Sequence, residues 1–281
     1  MPEVVYINGE YTDFANAKVS VDDRGFVFGD GVYEVIRVYP RTGPFQIKPH
    51  LERLMNSCAG IEIGVPWSAA EIEEICYDVL QRSEQRDGII YIEITRGAAP
   101  RAHLYPTDAR PTLVVYTRPF KGSGDLKDRG VAVVTIPDDR WAHCNWKTIN
   151  LLPNIMGKQR AHHAGAWEGI FVREGGIVTE GTSSNLMIVT GGVVLTHPAD
   201  NRILPGITRS VVLEICRDQG IRAKEERFTE DVLLTADEAF LSGTTTEIMP
   251  IVRINDRVVG GGKPGPVTKQ IQAAYAALIG Q

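Results

Sequence analysis

Strand-like and helix-like segments follow one another irregularly along this chain, and that irregularity is what most limits its fold. A strict strand–helix–strand repeat would require a doubly wound parallel sheet. Hairpins and helices mixed without that repeat point to an α+β fold. Val4 to Ile7 and Glu10 to Phe14 read as a hairpin around Asn8-Gly9, a pair that tolerates the positive φ of a tight turn. Gly31–Tyr39, Gly88–Arg96 and Thr112–Arg118 read as strands, and Pro49–Ala59 and Ser68–Arg82 as helices. Ser68 and Glu71 have the spacing of a capping box.

The polar stretch PFKGSGDLKDR, residues 119–129, is the best interdomain linker. It divides the chain into an N-terminal region, 1–118, and a C-terminal region, 130–281. The second region is expected to contain strands at Val131–Pro137, Gly169–Arg173, Asn185–Thr190 and Val193–Thr196. Its helices are expected near Asn150–His163, from Gly206-Ile207-Thr208 to Gln219, and over Val267–Ile279.

A chain of 281 residues buries enough surface to need no disulfide staples. The net charge of −5 and the lack of a basic stripe argue against nucleic acid as a partner. Cys58, Cys76, Cys144 and Cys216 form no C-x-x-C pair and read as free thiols of a reducing compartment. Met1-Pro2-Glu3 opens no signal peptide, and no apolar run approaches the ~20 residues that cross a bilayer. The expectation is a cytoplasmic protein without a membrane partner.

Several motifs fail on inspection. Gly29-Asp30-Gly31 begins like a dinucleotide fingerprint, but Glu34 takes the place of the third glycine. Gly260-Gly261-Gly262-Lys263 is followed by Pro264 instead of Ser or Thr, and Arg257 replaces the first glycine of a phosphate loop. His162 and His163 are adjacent, so on a helix they point about 100° apart and share a metal poorly. No metal site is expected, and no G-x-S-x-G elbow occurs.

Seven segments remain that are rich in chemically active residues. They are Asp23–Glu34, His50–Arg53, Arg96–His103, Trp146–Thr148, Val178–Asn185, Ile203–Arg209 and Ser242–Glu247. In this order and spacing they resemble the fold-type IV enzymes that use pyridoxal 5′-phosphate (PLP), over nearly the whole chain. Within that group, which includes branched-chain aminotransferases and aminodeoxychorismate lyases, Arg101-Ala102-His103 makes the chain most similar to the D-amino-acid aminotransferases.

The resemblance implies two domains, a smaller N-terminal α/β domain and a larger C-terminal pseudo-barrel that binds PLP. It makes Lys147 the catalytic lysine that carries PLP as a Schiff base, and Glu180 the acidic partner of the pyridine nitrogen. PLP needs such a partner to act as an electron sink. Arg53, Ile207, Thr208 and Thr244 are expected at the phosphate, Leu204 on the ring and Ser183 beside the cofactor. The reading of Gly206-Ile207-Thr208 as a helix start supports the phosphate assignment, because free N–H groups there attract anions. Tyr33, Arg101 and His103 match the substrate-carboxylate set, with the latter two reaching a neighbouring subunit's site, which implies a homodimer. Arg101 and His103, one residue apart, face the same side of an extended segment. His50 matches a position near the site, and a helix-start histidine satisfied by its neighbours is the alternative. The implied reaction is ping-pong transamination of a D-amino acid with a 2-oxo acid. A branched-chain L-aminotransferase, a lyase, or a non-catalytic binding protein on the same fold are the alternatives.

Overall fold

A computed structural model describes residues 3–281; Met1 and Pro2 of the segment read as lacking a leader lie outside the described residues. The chain forms two compact units. One holds residues 3–121 together with Trp146–Asn150, and the other Gly122–Asn145 with Leu151–Gln281.

In the first unit, β1 (Val4–Ile7), β2 (Glu10–Asp13), β3 (Gly31–Tyr39), β4 (Gly43–Pro44), β5 (Gly88–Thr95) and β6 (Thr112–Pro119) form one sheet in the order β2-β1-β6-β5-β3-β4. All its pairings are antiparallel. Asn8 and Gly9 turn the first hairpin with φ of 50° and 104°, as a primed turn requires. The helix α1 (Arg24–Phe28) precedes β3, and α2 (Ile47–Gly60) and α3 (Ala69–Ser83) cover one sheet face. The capping box of α3 is complete, with Ser68 accepting from the Glu71 N–H and Glu71 accepting from the Ser68 N–H.

Side chains in a strand alternate between faces. Val32, Ile36 and Val38 of β3 therefore join Ile90, Ile92, Ile94, Leu113 and Val115 under Leu51, Leu54, Ile72 and Val79 of the helices. Tyr33 and Val35 take the opposite face. Glu34 falls on the apolar side, and this one placement shapes the site described below.

The second unit has a sheet of nine strands. These are β7 (Val131–Pro137), β8 (Glu168–Val172), β9 (Val178–Gly181), β10 (Asn185–Thr190), β11 (Val193–Thr196), β12 (Ala223–Glu225), β13 (Glu238–Gly243), β14 (Glu247–Ile254) and β15 (Arg257–Val258). The order is β12-β11-β10-β13-β14-β7-β8-β9, with β15 pairing on β14. Parallel pairs, β14–β7, β7–β8 and β11–β12, interrupt otherwise antiparallel pairing. The mixed pairing, with helices outside any regular strand–helix–strand repeat, makes this an α+β fold. The core runs along Val133, Ile170, Leu186, Ile188, Leu241 and Met249. Helices α4 (Leu126–Arg129), α5 (Leu152–His163), α6 (Ile207–Asp218), α7 (Glu230–Leu234) and α8 (Pro266–Leu278) complete the unit.

The failed motifs have structural explanations. Gly260–Gly262 is an exposed turn. The N–H groups that open α8 just beyond it are already taken, because Val267 and Thr268 donate to the Glu238 carboxylate at 3.0 and 2.8 Å. His162 and His163 are both exposed, their rings 6.2 Å apart and tilted. All four cysteines are buried and free. No helix among the described residues is long and apolar enough to cross a membrane.

Candidate active site

Lys147 lies in the five-residue segment that groups with the first unit. Strand-like bonds hold it there. Tyr33 N–H donates to Lys147 O at 3.0 Å, Ile149 N–H donates to Gly31 O at 3.1 Å, and Val32 and Thr148 form an isolated antiparallel bridge. From α2, Ser57 Oγ accepts the Lys147 N–H at 3.0 Å. Trp146 packs so closely on Gly60 that a Cβ there would collide with the indole nitrogen. The start of β3 thus carries Lys147 as an extra strand. Its half-buried side chain turns to the ring of Tyr33, with Nζ 4.1 Å from the ring centroid. Two of the sequence-derived site residues are therefore in contact.

Arg53 and His50 are one helical turn apart on α2 and point into the sheet. Both meet Glu34. Arg53 donates through Nε and Nη2 to the two carboxylate oxygens at 2.7 and 2.9 Å, and His50 Nδ1 lies 2.7 Å from Oε2. Burial alone would raise the Glu34 pKa, but Arg53 and His50 together hold it at about 2. Burial lowers the His50 pKa, against the pull of Glu34. The reading of His50 as a histidine satisfied by its neighbours is what the geometry shows. Glu34, which stands where the third glycine of the fingerprint would and closes the segment Asp23–Glu34, is the centre of the cluster. Its signal was legible, since a carboxylate interrupting the Val32–Ile36–Val38 stripe of a strand needs buried partners.

Arg101 and His103 meet elsewhere. The Arg101 guanidinium lies 5.0 Å from the centroid of Phe28, and the His103 ring centroid lies 5.7 Å from it. The two residues do face one side of their loop. Both are exposed, and neither makes a hydrogen bond, ion pair or ring contact with Tyr33 or Lys147 among the described residues. Their loop is fixed from beneath by Arg24, which donates to Ala102 O at 2.6 Å, and by Arg96, which stacks on Tyr105.

In the second unit the site residues converge on Glu180. This carboxylate is buried. It accepts from Arg140 Nη1 at 2.6 Å, from Asn185 Nδ2 at 2.9 Å and from Leu204 N–H at 3.1 Å. Burial pushes its pKa up, against the opposing effect of Arg140. Arg140 is in turn held by Asp138, which also receives Arg173. Sequence reasoning missed Arg140. It stands just past the end of β7 and meets Glu180 only through the pairing of β7, β8 and β9, so no local pattern could have disclosed it.

Asn185 also donates to Leu204 O at 2.9 Å, which fixes the half-buried Leu204 beside Glu180. Gly206 follows and caps α6. A Cβ there would overlap Asn185 Oδ1, so only glycine permits this approach. No side chain caps α6, whose first turn contains the half-buried Ile207 and the buried Thr208. On the neighbouring strand Ser242 stands opposite Asn185. A Cβ on Gly243 would lie 3.6 Å from Ser183 O, which brings the Gly243-Thr244 turn to Ser183. The Thr182, Ser183 and Ser184 hydroxyls all donate to the buried Glu168.

This donor set fits a phosphorylated pyridine. An uncapped helix start with free N–H groups suits a dianion. Ser242 Oγ is fully buried and lacks a partner among the described residues, as a hydroxyl awaiting an acceptor would. A buried carboxylate of raised pKa beside a half-buried leucine suits a ring nitrogen and a ring face.

Comparisons with known proteins extend the geometry. The model of the family described as amino-transferase class IV matches residues 31–254. The chain is similar to a D-alanine aminotransferase of Bacillus licheniformis, 42% identical over 275 residues that cover 98% of this chain and 96% of the relative. Among solved structures it is similar to the branched-chain amino acid aminotransferase of Escherichia coli, with a TM-score of 0.94 and 29% identity, over 99% of this chain and 95% of the other. It is also similar to the branched-chain enzyme of Thermobaculum terrenum solved in its PLP form, with a TM-score of 0.87 and 25% identity over 99% and 94% of the chains.

Proposed function

The chain belongs to the amino-transferase class IV family, and from that premise we propose that it is a PLP-dependent D-amino-acid aminotransferase. It moves an amino group from a D-amino acid, such as D-alanine, to a 2-oxo acid, such as 2-oxoglutarate. The observation that carries this reading is the Lys147 amine held on Tyr33 by strand-like bonds, in a chain that also buries Glu180 against Arg140.

When bound, PLP supplies the electron sink that stabilises charge at the substrate Cα. Lys147 would hold the cofactor through its amine. Its Nζ, beside the Tyr33 ring, would take the proton from the substrate Cα and later return it. The ring of Tyr33 limits where that amine can move. Glu180 holds a proton at the ring nitrogen, and Arg140 and Asn185 keep its two oxygens aimed. The N–H groups at Gly206–Thr208, the hydroxyls of Thr208 and Thr244 and the guanidinium of Arg53 would hold the phosphate. Leu204 and Ser183 would hold the ring. The first product leaves as a 2-oxo acid before the second substrate binds, which gives ping-pong kinetics.

Arg101 and His103 bind the substrate carboxylate of a second copy in a homodimer. Their shared exposure on Phe28, apart from Tyr33 and Lys147, supports that assignment. The acidic chain calls for neither nucleic acid nor membrane, and its free thiols suit the cytoplasm. The higher identity to a D-alanine aminotransferase than to the branched-chain enzymes favours the D-series over an L-aminotransferase.

A panel of D- and L-amino acids with 2-oxoglutarate tests this directly. We expect D-alanine to react, L-leucine to react far more slowly, and Lys147→Ala to abolish turnover. Turnover of D-alanine by Lys147→Ala at the wild-type rate would overturn the assignment.

A further inference from the structure

The loop that carries Arg101 and His103 has little structure of its own. Between β5 and β6, residues 96–111 contain no helix or strand, only an isolated bridge of Ala98 with Asp23. Connections this long without secondary structure are uncommon and often functional. The base of the loop is tied down. Arg24 N–H donates to Gly97 O at 2.9 Å, and Ala99 N–H donates to Asp22 O at 3.1 Å. Gly97, at a φ of 94°, lies so close to Arg110 O that a Cβ would overlap it. From residue 100 to residue 111, no bond between main-chain groups continues this support among the described residues.

Two buried guanidiniums reach the exposed tip instead. Arg24 Nη1 donates to Ala102 O at 2.6 Å and to Leu104 O at 3.5 Å, the carbonyls on either side of His103. Arg96 lies 3.6 Å from the centroid of Tyr105. Asp30 fixes both. It accepts from Arg24 Nε at 2.8 Å and from Arg96 Nε and Nη2 at 2.8 and 3.0 Å. Burial would raise the Asp30 pKa, but Arg96 and Arg24 hold it below its ordinary range. Arg24 also lies 4.7 Å from the centroid of Phe28, the ring that Arg101 and His103 share. Carbonyls of an exposed tip need no protein donor, because water satisfies them. A buried cation directed at them fixes a conformation, and its rigid fork suits that role.

We propose that Arg24 is a positioning residue for substrate binding, which holds the main chain at Ala102 and Leu104 so that Arg101 and His103 are presented together. This deepens the reading that these two residues take the substrate carboxylate in a second copy, and it rests on that reading. A loop left free would have to be ordered each time a substrate bound, and that ordering weakens binding. Held by Arg24, the pair is arranged before the substrate arrives. Loss of Arg24 therefore weakens the hold on the carboxylate and leaves the proton transfer at Lys147 as it was.

The test is Arg24→Met in the holoenzyme. It strands no charge, because Asp30 keeps its two bonds from Arg96. KM for D-alanine should rise about tenfold or more, as misplaced binding groups cause. Turnover at saturation should stay within about twofold, the pattern of lost binding without lost chemistry. Arg24→Lys, which retains a donor, should recover part of the KM. PLP affinity, read by absorbance, should match the wild type in both. Made in an Arg101→Ala, His103→Ala background, Arg24→Met should lower kcat/KM no further, since nothing is left to position. A merely structural role would add its full effect there. If the background substitutions raise KM but Arg24→Met leaves it at the wild-type value, or if the effects add in full, the role of Arg24 is overturned alone. If the background substitutions leave KM for D-alanine unchanged, the carboxylate reading and this inference fall together.

Discussion

Arg53 grips both carboxylate oxygens of Glu34 with parallel hydrogen bonds of 2.7 and 2.9 Å, inside the interface between α2 and β3. The pair is buried. Removing one partner of such a pair strands the other charge and costs about 3–5 kcal/mol. Arg53→Ala should therefore lower the stability of the cofactor-free protein by that amount in urea unfolding. Arg53→Lys should recover only part of it, because an ammonium cannot reproduce the fork. Unchanged stability in Arg53→Ala would mean that the guanidinium serves the phosphate alone.

The same cluster predicts how the protein responds to acid. Glu34 has a folded pKa of about 2, below its ordinary 4.5. The His50 pKa is also lowered from its ordinary 6.5, through burial. In both cases the unfolded chain takes up the proton first. Each contribution is thus complete above the unfolded pKa and is lost as pH falls. Stability should begin to decline below about pH 6.5 through His50, and decline further below about pH 4.5 through Glu34. A pH series of urea midpoints checks this, and His50→Gln should flatten the upper part of the curve.

Gly206→Ala forces a Cβ into Asn185 Oδ1. Overpacking of this kind costs about 1–3 kcal/mol. Displacing Asn185 also removes a donor from Glu180. PLP affinity, titrated by absorbance, should fall about tenfold or more. Affinity equal to wild type would place the phosphate away from this helix start.

Arg140→Gln leaves Glu180 buried with Asn185 and Leu204 as its remaining donors. The loss of the guanidinium should raise the Glu180 pKa further, since Arg140 is what opposes its burial. Turnover should then fall more than substrate KM changes, with a shift in the pH profile of kcat. A variant with unaltered kcat at every pH would exclude a positioning role for Arg140.

Elements governed by local chemistry were legible in the sequence. The Asn8-Gly9 hairpin, the span of β3, the strand Val131–Pro137 and the capping box of α3 fall where turn residues, alternation and cap spacing put them. β9, β13 and β14 were not anticipated. Each is buried nearly throughout, so its residues show no two-residue alternation. The family constellation named Lys147, Tyr33 and Glu180. The supporting residues Arg140 and Glu168 were silent, because their partners lie 40 and 14–16 positions away and meet them only through sheet pairing. Glu34 lies between these cases, readable as an anomaly within an apolar stripe but not as the partner of Arg53.

The five residues Trp146–Asn150 are flanked on both sides by chain that belongs to the second unit, yet they are hydrogen-bonded to the first. No single cut can therefore release the first unit with its lysine. A truncation at Lys121 yields Tyr33 without its amine, and the complementary fragment keeps the amine without the strand that orients it. A recombination event that exchanged the first unit alone would have to cross over three times, whereas one crossover beyond Asn150 moves Tyr33 and Lys147 together with residues 122–145 of the second. Lys147 and the strand that holds it are thus inherited together only when the stretch of the second unit between them is inherited too.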